Sequence, residues 1–446
     1  MRPIEHYHEL LAAGDPLAEW EQFREAMAAR NLRFRERYVC NVLRPAFVTR
    51  DRYARLAGAA TAFLQALRRV NTVLMAEPEL RRRIGLTADE ERVVLLDPGF
   101  PSPDGFTRLD GFLDETGDLR FIEYNAESPG GLAFADALSD IFEQLPTFQR
   151  FAAATSVSRF QTRTSLLETL LAHYRQWGGR GTPTIAIVDW RSGVGTAPEF
   201  VLCQQSFEAA GVPTLISSPE ALELRGGRLL DGESGRAVDL VYKRAVTGEL
   251  LERLGPDNIL ARAVHSRAAC MVNSFRNQML FKKAVFALMS EWLDAGRFPD
   301  DIAGPLRRHL PWTRIFGERR VTVAEKTVDL PAFAVAERAS LALKPNGEYG
   351  GKGVVLGWES TPGEWEDALS AALLAEQPYV LQLRVPVTSE PYPLVAGGEL
   401  RVEARLMDVD PYCHRGEIVS GAGVRLGTGG ILNVTAGGGS AVPLFL

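Results

Sequence analysis

This 446-residue chain has no basic excess: 50 Lys and Arg stand against 56 Asp and Glu, for a formal net charge of −6. A nucleic-acid surface normally carries a surplus or stripe of positive charge, so no nucleic-acid partner is expected. A single nucleotide needs only a few local cations and is not excluded. Cysteine is scarce too. Cys40, Cys203, Cys270 and Cys413 lie far apart, with no CxxC pair and no His at zinc-ligand spacing, and are expected as buried thiols in a reducing compartment. No apolar run approaches the roughly 18 residues that span a bilayer. The opening MRPIEHYHELLAAGDPLAEW scatters charge where a secretory signal needs a continuous apolar stretch. A cytoplasmic protein with no membrane partner is therefore expected. Internal repeats and low-complexity tracts are absent, as is the P-loop pattern GxxxxGK[ST].

What is present fits a globular chain of two to three folding units, 46% hydrophobic and 24% charged. From Leu17 to Arg37 and from Arg52 to Met75 apolar residues recur at three- and four-residue spacing. In the second stretch they are Tyr53, Leu56, Ala60, Phe63, Leu64, Leu67, Val70 and Leu74, with Thr49 or Asp51 as cap. Val93–Leu96, Thr107–Leu113 and Leu119–Tyr124 read as short strands between Pro, Gly and Asp clusters. Helix is expected over about 132–177, broken near Pro146. An α/β segment follows: strands at Thr184–Val188, Thr214–Ile216 and Leu240–Lys243, a helix at Pro198–Ala210, and a hairpin turning at Gly226-Gly227. That order favours a parallel sheet, although a Rossmann dehydrogenase is excluded because no GxGxxG follows its first strand. Phe281–Leu293 is an amphipathic helix, and another is expected at about 362–376.

Four stretches could carry chemistry. In Phe121-Ile122-Glu123-Tyr124-Asn125-Ala126-Glu127-Ser128-Pro129-Gly130-Gly131, Glu123 and Asn125 project from one strand face, as hard oxygen ligands suited to Mg²⁺. A solvated face ending in a turn would read the same. In Lys344-Pro345-Asn346-Gly347-Glu348-Tyr349-Gly350-Gly351-Lys352-Gly353, a strand-ending lysine precedes a glycine-rich loop. Its backbone N–H groups could cradle phosphate, and Glu348 could complete the metal site; a plain hairpin tip is the alternative. Lys282-Lys283 open the amphipathic helix, where an anion would offset their conflict with the helix dipole, unless they simply face solvent. Last, Arg425 is framed by Gly421, Gly423 and Gly427, so a carboxylate, a phosphoryl group or an oxyanion could reach its guanidinium; glycine-rich strand connections are the alternative.

With these residues laid out, the chain resembles circularly permuted ATP-grasp proteins, a group that includes eukaryotic-type glutathione synthetases and bacterial relatives. The Glu-x-Asn motif, late in ordinary ATP-grasp enzymes, stands here in the first third, ahead of the lysines. The resemblance covers roughly Glu123 to the C-terminus. It implies Glu123, Asn125 and Glu348 as Mg²⁺ ligands and Lys282 and Lys344 on ATP phosphates. It also implies a lid over 344–353 with Gly350 and Gly351 against the nucleotide, and Gln382, Leu383 and Arg384 in the adenine hinge. Arg425 would be a substrate-side arginine and Thr435-Ala436-Gly437-Gly438 a late small-residue loop. The catalytic set is then Arg425, Lys344 and Lys282. Leu383 stands where the hinge is commonly acidic, and Gly427 where glutathione enzymes carry lysine. With no match to their dipeptide-binding residues, the resemblance implies ligase chemistry rather than a glutathione product.

The expected architecture is mixed α/β: an ATP-grasp fold in permuted order, with a helical region at 1–90, the first part of the core at 91–180, an inserted parallel-sheet substrate domain at 181–245 and the remaining subdomains at 246–446. The expected activity is ATP- and Mg²⁺-dependent joining of a small-molecule carboxylate to an amine through an acyl phosphate. A phosphotransferase and a non-catalytic nucleotide-binding protein are the alternatives, and a homo-oligomer is compatible with all three. Ser128, Arg191, Ser192 and Arg425 are the expected substrate contacts. Trp190–Gly195 follows the Ile185–Asp189 strand at the carboxyl end, where open sheets bind ligands, though a surface loop would look alike. None of the six histidines falls inside a motif.

Overall fold

The computed structural model describes residues 3–101, 105–324, 326–429, 432 and 440–445. The Thr435-Ala436-Gly437-Gly438 stretch lies outside them. The long helix Arg50–Ala76 begins where Thr49 accepts a hydrogen bond from the Arg52 amide at 3.3 Å, and it buries Leu56, Ala60, Phe63, Leu64, Leu67, Val70 and Leu74. Val93–Leu96 differs from expectation: Val93 and Val94 end the helix Ala88–Val94. Thr87 and Glu90 form a reciprocal capping box there, and a well-nucleated turn outweighs the β-preference of two valines.

Three sheets organise the rest. The largest, six-stranded and antiparallel, runs Ser440–Val442, Ile418–Gly427, Glu399–His414, Phe106–Leu113, Leu119–Asn125, with Ser389–Ala396 also paired to Glu399–His414. The sixteen-residue strand thus joins the early hairpin to the late one. A parallel sheet orders Cys270–Val272, Leu240–Lys243, Ile185–Val188, Thr214–Ser217, with the helix Ala197–Ala209 crossing over between the last two. All four residues of Ile185–Val188 are buried, as a strand covered on both faces requires. The third sheet, antiparallel, runs Thr313–Ile315, Tyr379–Leu383, Leu341–Pro345, Val355–Leu356. It packs Leu341, Leu343 and Leu381 against Trp365 and Leu369 of the helix Pro362–Leu374.

The helix expected over Phe281–Leu293 is two helices, Asn277–Phe281 and Ala284–Asp294. Lys282 and Lys283 fall in the break. Lys282 has extended backbone, so consecutive lysines leave the chain in different directions. Among the described residues no helix is long and apolar enough to cross a membrane.

Phe63 holds these parts together. Its ring meets Phe121 at 5.0 Å edge-on and Phe286 at 5.2 Å, linking the long helix to the Leu119–Asn125 strand and to the helix after the lysines. Phe63→Ala should lower unfolding free energy by about 3–5 kcal/mol, read from the denaturant midpoint, because the cavity left behind cannot collapse between three elements. A loss under ~1 kcal/mol would mean the ring is not a joint.

Candidate functional site

Side chains two apart on a strand share a face, and antiparallel register sets their neighbours. Arg108 and Asp110 stand opposite Asn125 and Glu123; Tyr412 stands opposite Arg108, Asp408 opposite Arg425, and Asp410 opposite Gly423. One face of the large sheet therefore collects Arg108, Asp110, Glu123, Asn125, Asp408, Asp410 and Arg425.

Five of these form a buried ionic cluster. Arg108 grips Asp110 through two bonds, Nε to Oδ1 at 2.6 Å and Nη2 to Oδ2 at 2.9 Å, and donates Nη1 to the Gly130 carbonyl at 2.7 Å. Arg425 donates Nε to Asp408 at 2.8 Å, while its Nη2 lies 2.8 Å from Asp110, 2.7 Å from Asp408 and 3.0 Å from Asp410. Burial raises the proton affinity of all three carboxyls. For Asp110 the two arginines prevail and lower its pKa to about 2. For Asp408 burial prevails over Arg425 and raises it to about 6. Asp410 is pushed well above the ordinary carboxylate range by burial, with only Arg425 and the more distant Arg108 pulling the other way. Sequence analysis named Arg425 alone of these five. The signal was charge at alternate positions of otherwise apolar strands, as in Met407-Asp408-Val409-Asp410.

Two cavities open from this face. The first, about 330 Å³, is lined by Lys283, Lys344, Glu348, Gly351, Gln382, Leu383 and Arg384; the second, about 380 Å³, by Arg108, Asn125, Ser128, Ser192, Tyr349, Gly350 and Asp410. Asp110, Glu123 and Arg425 line both. The two compartments meet at those three side chains. A more open groove of about 570 Å³ beside Asp15, Glu19 and Arg150 and a void of about 40 Å³ beside Phe47 and His309 share no lining residue with these two cavities apart from Val424.

In the first cavity Lys344 donates to Gln382 Oε1 at 2.6 Å, and burial, opposed by Glu123, lowers its pKa to about 8. Lys283 lies 2.8 Å from Glu123 Oε1 and donates to the Glu348 carbonyl. Lys282 Nζ lies 2.6 Å from Glu90 Oε1, and the side chain lines neither of the two cavities but a small void beside the first, together with Glu123, Lys283, Lys344 and Gln382. The helix break separates the two lysines, so Lys283 reaches the wall of the first cavity while Lys282 stands at the void behind it. Strand Tyr379–Leu383, where an adenine hinge is expected, is paired on both sides, so its backbone is committed to the ladder as far as Leu383.

In the second cavity the turn after Asn125 is fixed from below. Asn273 Nδ2 donates to the carbonyls of Phe106, Ala126 and Glu127 at 2.6–2.9 Å. Glu127 pairs with Lys243 at 2.9 Å with both side chains buried, and accepts from the Thr247 amide at 2.7 Å. These are support, and they leave Ser128 at the cavity wall. Arg191 is not at the wall: it is half-exposed, with its guanidinium on Glu233 and Ser218, whereas Ser192 beside it lines the cavity. The glycine-rich loop reaches this side too, where Tyr349 donates its hydroxyl to Glu249 Oε1 at 2.6 Å, and Glu249 Oε2 accepts the Trp190 indole N–H at 2.7 Å.

Among the described residues no three His, Cys, Asp or Glu side chains are arranged as a metal site. The expected ligands mix types. Glu123 and Glu348 line the first cavity, and Glu123 and Asn125 the second. Asn125 Nδ2 is buried with no hydrogen-bond partner among the described residues, so no protein contact fixes which way the amide faces.

No protein-family model and no curated protein matches the chain. Among solved structures it is similar to a glutathione synthetase-like effector from Globodera pallida in its apo form. The TM-score is 0.57 at 13% identity, covering 93% of this chain and 95% of that one. A protein described as a gamma-glutamylcysteine synthetase, from Methylobacillus flagellatus, aligns over 90% of this chain and 89% of its own at TM-score 0.46 and 11% identity. The first comparison establishes a shared mixed α/β fold.

The ionic cluster predicts a pH effect. A carboxyl whose pKa is raised on folding stabilises the fold while protonated, so Asp408's contribution is complete below about pH 4 and is lost as pH climbs through about 6. Asp408→Asn removes that dependence. Between pH 4 and 8 the unfolding free energy of the variant should gain about 2–3 kcal/mol relative to the unsubstituted chain. A difference that stays flat with pH would contradict the raised value.

Proposed function

We propose that the chain is an ATP-dependent ligase on an ATP-grasp-type scaffold in permuted order, joining a small-molecule carboxylate to an amine. The observation that carries this reading is the pair of cavities meeting at Asp110, Glu123 and Arg425: one compartment offers two lysines and a glycine-rich loop, the other mixed polar groups. A phosphoryl donor and its acceptor need that arrangement, because each must be held separately yet meet at one point. The fold shared with a glutathione synthetase-like protein is in keeping with it.

In this reading Lys283 and Lys344 hold the phosphates, and loop 344–353 covers them and excludes water. Glu123, Asn125 and Glu348 fit Mg²⁺: all three offer oxygen, and the unpartnered Asn125 amide is free to turn its oxygen to the cavity. Mg²⁺ would offset phosphate charge that otherwise repels an incoming carboxylate. Ser128 and Ser192 line the space for the acceptors. Three of Arg425's carboxylate contacts run through Nη2 and another through Nε, and Nη1 makes no hydrogen bond among the described residues. Nη1 is thus available to the oxygen of an acyl phosphate and of the tetrahedral adduct the amine forms with it.

A panel of carboxylates and amines screened for phosphate release identifies the reaction, which should need ATP, Mg²⁺ and both acceptors. Release of a stable phosphorylated product without amine would indicate a phosphotransferase instead. Glu348→Gln should lower turnover about 100-fold, or ~3 kcal/mol of barrier. Turnover within threefold of the unsubstituted chain would remove Glu348 from the site.

The lysine pair gives a second test, in calorimetric titration with Mg·ATP. Lys283→Ala should weaken binding at least tenfold. Lys282→Met should weaken binding less than Lys283→Ala does while destabilising the fold, since buried Glu90 loses its counter-charge. No binding of Mg·ATP at millimolar nucleotide would overturn the proposal.

A further inference from the structure

Two counts in the ionic cluster do not balance. Three aspartates face two arginines in a buried setting, leaving one negative charge over. The shortage has an address. Arg425 Nη2 carries two hydrogens, yet three carboxylate oxygens lie within 3.0 Å of it, one each from Asp110, Asp408 and Asp410. Asp110 and Asp408 also take bonds from Arg108 and from Arg425 Nε respectively. Among the described residues Asp410 Oδ2 is the oxygen left without a hydrogen bond, while Oδ1 accepts from the Gly111 amide at 3.2 Å. Asp410 is 1% exposed and lines the second cavity. A buried carboxylate oxygen with neither hydrogen bond nor dedicated counter-charge is costly, and either a proton or a ligand cation removes the cost.

We infer that Asp410 is the docking point for the ammonium group of the amine substrate and the acceptor of its proton. This rests on the ligase reading above and adds where the amine sits and how it becomes nucleophilic. An ammonium supplies both missing items, one positive charge and a spare N–H. On transfer Asp410 takes one proton, and the freed lone pair attacks the acyl carbon of the acyl phosphate. The C–N bond forms and the C–O bond to phosphate breaks. That bond's electrons stay on the phosphate, which leaves with the second N–H proton as hydrogen phosphate. Arg108 and Asp110 face Asp410 from the Phe106–Leu113 strand, Arg425 from the Ile418–Gly427 strand and Asp408 from its own; burial and these neighbours keep it an effective proton acceptor.

The binding half is tested without turnover. Methylammonium chloride should raise the melting temperature of the full chain above an equal concentration of tetramethylammonium chloride, which has no N–H. At pH 6 its binding should release a proton, read as heat that varies with the ionisation enthalpy of the buffer. Asp410→Asn should abolish both effects. Equal responses to the two cations, no proton release, or an unchanged response in Asp410→Asn would each overturn the inference, whether or not ATP is used. The catalytic half uses hydroxylamine, largely unprotonated at pH 7.5, with whichever carboxylate the screen returns. Asp410→Asn should keep hydroxamate formation within about threefold while losing about 100-fold with an alkylamine, and the loss should shrink as pH rises. Equal losses with both nucleophiles would assign Asp410 to packing alone. A screen that returns no carboxylate would count against the ligase reading and leave the methylammonium result to decide the binding site.

Discussion

The Arg425 guanidinium is the interaction on which the site depends. It binds Asp408 on the adjacent strand and reaches Asp110, 315 residues earlier in the chain. That bond across the sheet fixes the early hairpin bearing Glu123 and Asn125 beside the late one. Remove it, and the strands could still pair, with the Gly111 amide on Asp410 and Arg108 beside it left to specify which face turns to the cavities. A one-residue slip of Glu399–His414 would send Asp408 and Asp410 to the apolar side, where burying them unpaired costs several kcal/mol. The cluster therefore sets register as much as chemistry.

Much of the scaffold was legible in the sequence because periodicity is local. The Leu56-to-Leu74 stripe, the alternation around Glu123 and Asn125, and the fully apolar Ile185–Val188 each announce their own element. The reading failed where a short-range signal was outweighed by another. Val93 and Val94 look like strand until the capping box at Thr87 and Glu90 is considered. Lys282 and Lys283 were set on one helix because the apolar spacing runs through them, and the backbone break that parts them has no composition cue. Arg108, Asp110, Asp408 and Asp410 went unremarked for a different reason. A charged residue between apolar ones reads as the outer face of a strand, and only the partner strand reveals that this face is inward.

The proposed ligase reading gives each of these features a use. In that reading the two cavities, sharing Asp110, Glu123 and Arg425, would let phosphoryl transfer and amine attack occur at one place without moving the intermediate. The helix break at Lys282 matters equally. It sets one lysine on Glu90, tying the helical region to the core, and the next on Glu123 at the cavity wall.

One carboxylate, Glu249, holds both the Tyr349 hydroxyl of the glycine-rich loop and the Trp190 indole. Movement of the loop tip would strip one partner from that carboxylate and strengthen its hold on the other, altering the electric field along the indole. The chain thus carries an intrinsic optical gauge of its own loop, wired through a single acidic side chain.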